Sequence, residues 1–323
     1  MTVQITIIGM GQVGTSIGLA LAAHTEKIQR TGHDKNFERA NKAHQLGALD
    51  RVEINLPRSV EGADLVILAL PMDAIEETLR IIAPDLRQEC VLMDTAPYKA
   101  PVVGWARTQL PPGRHYVGLV SALSPHYITG LERPAHADLF RGGVVGLVSP
   151  PGTPGEAIKL ASDLVTLLGA EPFFMDMLEV DSLMASAHIL PQLISAGLLD
   201  MTVDFPGWRE MRRLAGRPYA TATLPAASQD DPKSLARAAL SNPQASLAAI
   251  DSYIETLRAL RTVIATGEED ELVRRFEQAR AGREQWWEER SSGDWQKVEF
   301  GVSQAAKRPG LLQSLFGSGK RRG

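Results

Sequence analysis

Through the first half of the chain, short apolar runs alternate with longer amphipathic stretches. The runs at residues 4–8, 64–70, 90–94, 115–120 and 143–148 are rich in apolar residues, which predicts buried strands, and shorter strands are expected at 27–32, ending at Asp34, and at 171–174. Between them, 12–23, 38–46, 73–82, 99–109 and 155–168 carry apolar residues at helical spacing, and Gly47 stands where a helix C-terminal cap is expected. Strands alternating with helices imply βαβ units, a mostly parallel sheet and helices on both of its faces. The expected fold is a doubly wound α/β domain reaching residue 176.

From residue 178 the period changes. Helices are expected at 180–203, 208–214, 232–240, 243–266 and 268–289, with almost no strand signal, and Pro206, Gly207 and Pro218 read as loop punctuation. The resulting division is a dinucleotide-binding domain over 1–176, an all-α domain over 177–290, and a tail over 291–323 expected to be partly disordered.

The first strand runs into Gly9-Met-Gly-Gln-Val-Gly14, the G-x-G-x-x-G pattern, at the opening of a helix. The first glycine permits the tight turn, the second lets backbone approach a pyrophosphate, and the third lets helix and strand pack closely, while the helix N-terminus offers amide donors to phosphate. Gly9, Met10, Gly11, Gln12, Val13 and Gly14 are therefore the first cofactor-binding candidates. Asp34, at the end of the second strand, is placed to accept hydrogen bonds from a ribose and to repel a 2′-phosphate, so NAD is favoured over NADP. Leu70, Pro71 and Asp94 follow later strands, at the edge where open α/β sheets bind ligands, and complete this set; for Pro71 and Asp94 simple strand termination is the alternative.

Composition narrows the class. With 323 residues and 44% hydrophobic content the chain has room for two cores. Its single cysteine, Cys90, excludes an internal disulfide and a thiolate cluster, no His or carboxylate grouping has metal-ligand spacing, and no metal is expected. The opening residues lack the basic start of a secretory signal, and no uninterrupted apolar run approaches the roughly 20 residues of a membrane span. A cytoplasmic protein is expected. The net charge is −4, but the last 17 residues hold five basic side chains and no acid, leaving the rest at −9. That acidic body gives no footprint for nucleic acid. The apolar stretch 311–316 in the basic tail is read as disordered rather than as a membrane attachment.

Taken in order, the Gly-rich turn, the Asp34 region, Lys42-Ala-His-Gln-Leu-Gly47, residues 64–71, Asp94-Thr-Ala-Pro-Tyr-Lys99, Gly130-Leu-Glu132, Ala137-Asp-Leu-Phe140, residues 181–191, Phe205-Pro-Gly207 and Arg213-Leu-Ala215 resemble the prephenate dehydrogenase family. The resemblance implies oxidative decarboxylation of prephenate or arogenate toward tyrosine, a helical domain that forms a homodimer, and a cleft between the domains. It also implies a histidine that accepts the substrate hydroxyl proton and an arginine that holds a carboxylate.

The chain departs from that pattern at its chemical centre. Val120 stands where the family's Gly-Gly-His-Pro segment has its histidine, Pro97 replaces the serine of Gly-Ser-x-Lys, and Ile189 and Gln192 replace the histidines of Ser-His-Leu-Pro-His. His126 is the nearest substitute base, with exposed loop histidine as the alternative. His188, one position from a lost histidine, is the other, with a satisfied core histidine as its alternative. Lys99 is either a carboxylate ligand or a solvated helix-start lysine, and Tyr98 is read as packing rather than as a phenolic donor. Arg213, beside Arg209 and Arg212, is the candidate anion ligand, against a solvated basic face. Gln192 and Ser121 complete the substrate-binding set. The alternatives to this enzyme are a non-catalytic NAD-binding homologue and a dehydrogenase of another hydroxy acid.

Overall fold

In the computed structural model, residues 2–128, 134–228 and 231–293 are described. Eight strands form one sheet: β1 (Val3–Ile8), β2 (Ile28–His33), β3 (Arg51–Val52), β4 (Leu65–Leu68), β5 (Val91–Asp94), β6 (His115–Ala122), β7 (Val144–Val148) and β8 (Glu171–Phe174). Their order is β3-β2-β1-β4-β5-β6-β7-β8. All neighbours are parallel except β6 and β7, which run antiparallel. The wholly apolar β4 is buried along its length between β1 and β5, as a strand covered on both faces must be. The order reverses between β1 and β4, and this switch point is where such sheets open a crevice beyond the carboxyl ends of their strands.

Helices α1 (Gln12–Ala20), α2 (Phe37–Gln45), α3 (Leu56–Ser59), α4 (Met72–Ile82), α5 (Ala100–Gln109) and α6 (Gly155–Leu167) cover the sheet. Ile7, Leu65, Ile67 and Met93 pack with α1, α2 and α6 on one face, and Ile8, Val66, Leu68 and Leu92 pack with α4 and α5 on the other. Gly47, at φ +82°, takes the left-handed position after α2 that its sequence predicts. The short β3 and α3 escape the sequence pattern because neither is long enough to show a period.

Arg30 of β2 is almost fully buried, and it closes the α1–β2–α2 corner. Its guanidinium donates to the carbonyls of Gly18 and Gly47 and makes a bidentate pair with Asp50 at 2.7 and 3.1 Å. That hydrogen bonding to Arg30 lowers the Asp50 pKa. A carboxyl whose folded pKa is depressed adds stability above its unfolded value near 3.9, and that stability is lost as pH falls through the lower, folded value. The stability gap between the parent and Asp50→Asn, measured by urea unfolding, is therefore expected to be constant from pH 6 to 7 and to close below about pH 4.

The helical part contains α7 (Met177–Met184), α8 (Leu190–Val203), α9 (Trp208–Leu214), α10 (Arg217–Ser228), α11 (Pro232–Ser241), α12 (Pro243–Thr266) and α13 (Glu269–Ser292). A π turn at Ala185–Ile189 joins α7 to α8. Pro191 explains it: with no N–H to return to Ala187, the helix admits a wider turn instead of breaking. The expected loop at Pro218 is corrected, since Pro218 occupies the first turn of α10, where its missing donor costs nothing.

The continuous Met177–Val203 helix is long and apolar enough to meet the length and composition of a membrane span, with 22% of its most apolar window buried. The sequence criterion missed it because polar side chains interrupt the run. Leu178, Leu183, Met201 and Val203 are exposed along it.

Residues 1–274 form one compact unit, and α13 continues into a second, 275–323. In that second unit Arg283 lies over both Trp286 and Trp287. Gly130-Leu-Glu132 and most of the basic tail lie outside the described residues.

Candidate active site

Gly9 ends β1 at φ +95°, where a Cβ would lie 2.3 Å from the carbonyl oxygen of Ala69 and 2.8 Å from Leu70 Cδ2. Gly14, in the first turn of α1, leaves no more room, as its Cβ would fall 1.9 Å from Gly9 O. Both positions hold glycine for reasons of space, and Gly9 for its backbone angle as well. Gly11 is different: nothing lies within 4 Å of its missing side chain. Open space over Gly11 at a helix N-terminus fits the approach of a diphosphate. At the end of β2, Asp34 accepts from the backbone N–H of Met10 at 2.7 Å and of Asn36 at 2.8 Å. Each carboxylate oxygen retains a lone pair for a ribose hydroxyl. A dinucleotide therefore fits this set of residues.

The strand register places the other candidates on the same edge. Ile8 pairs with Leu68, Leu68 with Asp94, and Asp94 with Gly118, so Gly9, Leu70, Pro71, Asp94 and Ser121 all lie at the carboxyl ends of β1, β4, β5 and β6. The described segment 134–138 runs beside α1. Gln12 Nε2 donates to Pro134 O at 3.1 Å, and His136 N–H donates to the buried Ser16 Oγ at 2.9 Å. His126 is exposed in a single turn at Pro125–Tyr127 that follows β6.

Neither expectation for Lys99 holds, because the side chain is fully buried. Its ammonium donates to Asp94 Oδ1 at 2.8 Å, and the phenol of Tyr116 donates to Asp94 Oδ2 at 2.5 Å. Asp94 is equally buried and also accepts from Ala96 N–H, so its carboxylate serves this interior cluster. Burial lowers the Lys99 pKa, opposed by the adjacent Asp94 charge, and burial with that same carboxylate pushes Tyr116 well above its ordinary value. A chain pattern gives no reason to bury a lysine at a helix start; the signal is Tyr116, a polar-tipped aromatic inside an apolar strand.

Asp181 of α7 supplies what the start of α5 lacks. Its carboxylate accepts from the N–H groups of Lys99 and Ala100, at 2.6 and 3.1 Å, and from Asn242 Nδ2 at 2.7 Å. Orphan donors at one helix N-terminus are thus satisfied by a side chain from another part of the chain. Tyr98 is buried and hydrogen-bonded to Ser246 of α12, in keeping with a packing role.

These contacts dock the π turn on the β5–α5 loop, with Ala185 and Ile189 in the same core cluster as Ala96 and Tyr98. His188 is half-buried there. Gln192 is buried and donates to the His188 carbonyl at 3.0 Å. Arg213 is exposed on α9, and among the described residues no hydrogen bond or ion pair links it to the sheet edge.

A doubly wound sheet with a glycine cradle at its switch point, joined to a helical part docked at the same edge, defines a two-domain dehydrogenase. The models described as the nucleotide-binding domain and the dimerization domain of prephenate dehydrogenase match residues 17–173 and 178–278. The chain belongs to the prephenate dehydrogenase family.

It is 28% identical over 287 residues to the cyclohexadienyl dehydrogenase of Zymomonas mobilis, covering 87% of this chain and 94% of that one. The prephenate dehydrogenase of Lactococcus lactis is 24% identical, with 87% and 77% covered. Among solved structures, prephenate dehydrogenase from Aquifex aeolicus, in complex with hydroxyphenyl propionate and NAD+, superposes with a TM-score of 0.77 at 21% identity, covering 88% of this chain and 98% of that one.

Proposed function

We propose that the protein is an NAD-dependent dehydrogenase that oxidises prephenate, arogenate or a related cyclic hydroxy acid, acting as a cytoplasmic homodimer. The observation that carries this reading is the glycine cradle at the switch point with Asp34 beside it, in a chain of this family. Gly9 to Gly14 would hold the diphosphate, Asp34 the adenosine ribose, and Leu70 and Pro71 the opposite lip of the crevice. The nicotinamide ring supplies the hydride acceptor. The named relatives from Zymomonas and Lactococcus point to the substrate class. The apolar side chains exposed along the Met177–Val203 helix, within a match to a dimerization domain, support the homodimer over a membrane span. We read a nucleotide-binding domain over 1–176 and a helical domain over 177–290; the last strand ending at Phe174 and a helix opening at Met177 support the first boundary.

Within this reading His126 is the proton acceptor, standing in the loop that leaves β6 just beyond Val120 and Ser121, and Arg213 holds a substrate carboxylate. His188, Gln192 and Ser121 line the substrate side, and Lys99 acts through Asp94 rather than by touching substrate.

The expected result is formation of reduced nicotinamide with prephenate or arogenate, accompanied by carbon dioxide release. His126→Ala is expected to lower kcat about a hundredfold or more, and Arg213→Ala to raise KM. Asp34→Ala is expected to weaken NAD binding about tenfold and to narrow its preference over NADP.

Val120, in the place of the family's histidine, favours a second reading: a homologue that binds NAD without turning over. Stabilisation by NAD in a thermal-shift measurement, with no turnover of any of these acids, would establish that reading and reject the first.

A further inference from the structure

The two lips of the switch-point crevice touch. A Cβ on Gly9 would strike Ala69 O and Leu70 Cδ2, so the turn that follows β4 rests directly on the glycine turn that follows β1. That second turn leads through Pro71 into α4, whose first amides have no partner within their own helix. One of them is satisfied from far along the chain: Met72 N–H donates to Ser234 Oγ of α11 at 3.1 Å, and Ser234 is buried.

Around this bond α11 is firmly placed. Asp231 caps its start by accepting from Lys233 N–H and Ser234 N–H. Lys233 pairs with Asp73 at 3.0 Å, Arg237 pairs with Glu76 at 2.6 Å, and the Arg237 guanidinium lies over the Trp105 ring. Ala238 shares a core cluster with Met72, Ile75 and Leu79. Among the described residues of α11, Ser234 is the one whose side chain bonds the backbone of the lip; the two ion pairs are made by side chains of α4, at Asp73 and Glu76.

We propose that Ser234 is a positioning residue for the dinucleotide, holding the Leu70–Met72 lip against Gly9 so that the helical part of the chain sets the width of the crevice. The inference rests on the proposed cofactor site. Removal of the hydroxyl leaves Met72 N–H without its acceptor, and the lip loses its backbone tie to α11 while the Ala69 N–H to Ile8 O bond at its base remains. The effect belongs to the half of the dinucleotide that lies on the β4 side of the switch point. The adenosine half, on the β2 side beside Asp34, is held by residues that Ser234 does not touch.

The test is calorimetry with NAD and with AMP on full-length protein, well below the unfolding temperature. Ser234→Ala is expected to raise the NAD Kd about fivefold and to leave that of AMP within about twofold. Ser234→Cys, which keeps the volume with a poorer acceptor, falls between and serves if the alanine variant does not fold. Lys233→Ala removes a neighbouring ion pair without altering the lip and is expected to bind NAD like the parent.

An unchanged NAD Kd in Ser234→Ala or Ser234→Cys overturns the inference. So does an equal loss of AMP and NAD binding, which would mark a general loosening. Failure of the parent itself to bind NAD would instead reject the proposed cofactor site.

Discussion

Gly9→Ala is expected to abolish measurable NAD binding, raising Kd by about two orders of magnitude or more, and to destabilise the fold by about 2–4 kcal/mol. Two effects add at this position. The backbone angle of +95° is one that alanine adopts only with strain, and the new methyl would meet a backbone carbonyl 2.3 Å away. Because that oxygen belongs to the end of β4, no rotamer change relieves the overlap. Either the β1 turn or the β4 turn must move, and the crevice lies between them. Gly11→Ala is the control, since its Cβ meets nothing of the protein. It is expected to leave stability unchanged while weakening NAD through its approach to the diphosphate. Calorimetry and urea unfolding on the two variants separate these outcomes. If Gly9→Ala binds NAD as the parent does, the crevice is not the cofactor site.

The second large effect is expected at Lys99. Replacement by alanine leaves the buried Asp94 carboxylate with, among the described residues, Tyr116 and the Ala96 amide to answer it. Breaking a buried ion pair by removing one partner costs about 3–5 kcal/mol, far more than the pair itself contributes. Urea unfolding of Lys99→Ala at neutral pH measures this loss. The double variant Lys99→Met with Asp94→Asn removes both charges while keeping volume and a hydrogen-bond acceptor for Tyr116, and it is expected to recover most of the stability. A single variant within about 1 kcal/mol of the parent would show that the ammonium is not committed to Asp94.

Seven strands of the sheet, all but the two-residue β3, were readable because each is either largely apolar or bounded by a turn residue, and because Gly9, Gly11, Gly14 and Asp34 sit at spacings fixed by a single local unit. Local chemistry is what sequence reports well. Lys99 shows the opposite case. Its environment is made by Asp94 five residues earlier, by Tyr116 on the next strand and by Asp181 on a helix far along the chain, and no window of sequence holds all of these. The same holds for α10, whose Pro218 and Pro225 mimic loop punctuation although α8 packs along the helix and Ser195 Oγ accepts the Ala226 amide. The candidate base His126 was legible as the histidine nearest to Val120 in the sequence, and the path of the chain after β6 adds that it is exposed in the turn at Pro125–Tyr127.

The contacts of Asp181 also bear on how the molecule is made. The amides that open α5, the phenol of Tyr98 and the first amide of α4 all find their partners beyond residue 177, the last of them at Ser246. A nascent chain that has emerged only through β8 therefore has every strand of its sheet and yet carries interior polar groups still waiting for their acceptors. Native closure of the nucleotide half during synthesis is tied to the arrival of α12, so the order of translation and the order of consolidation differ.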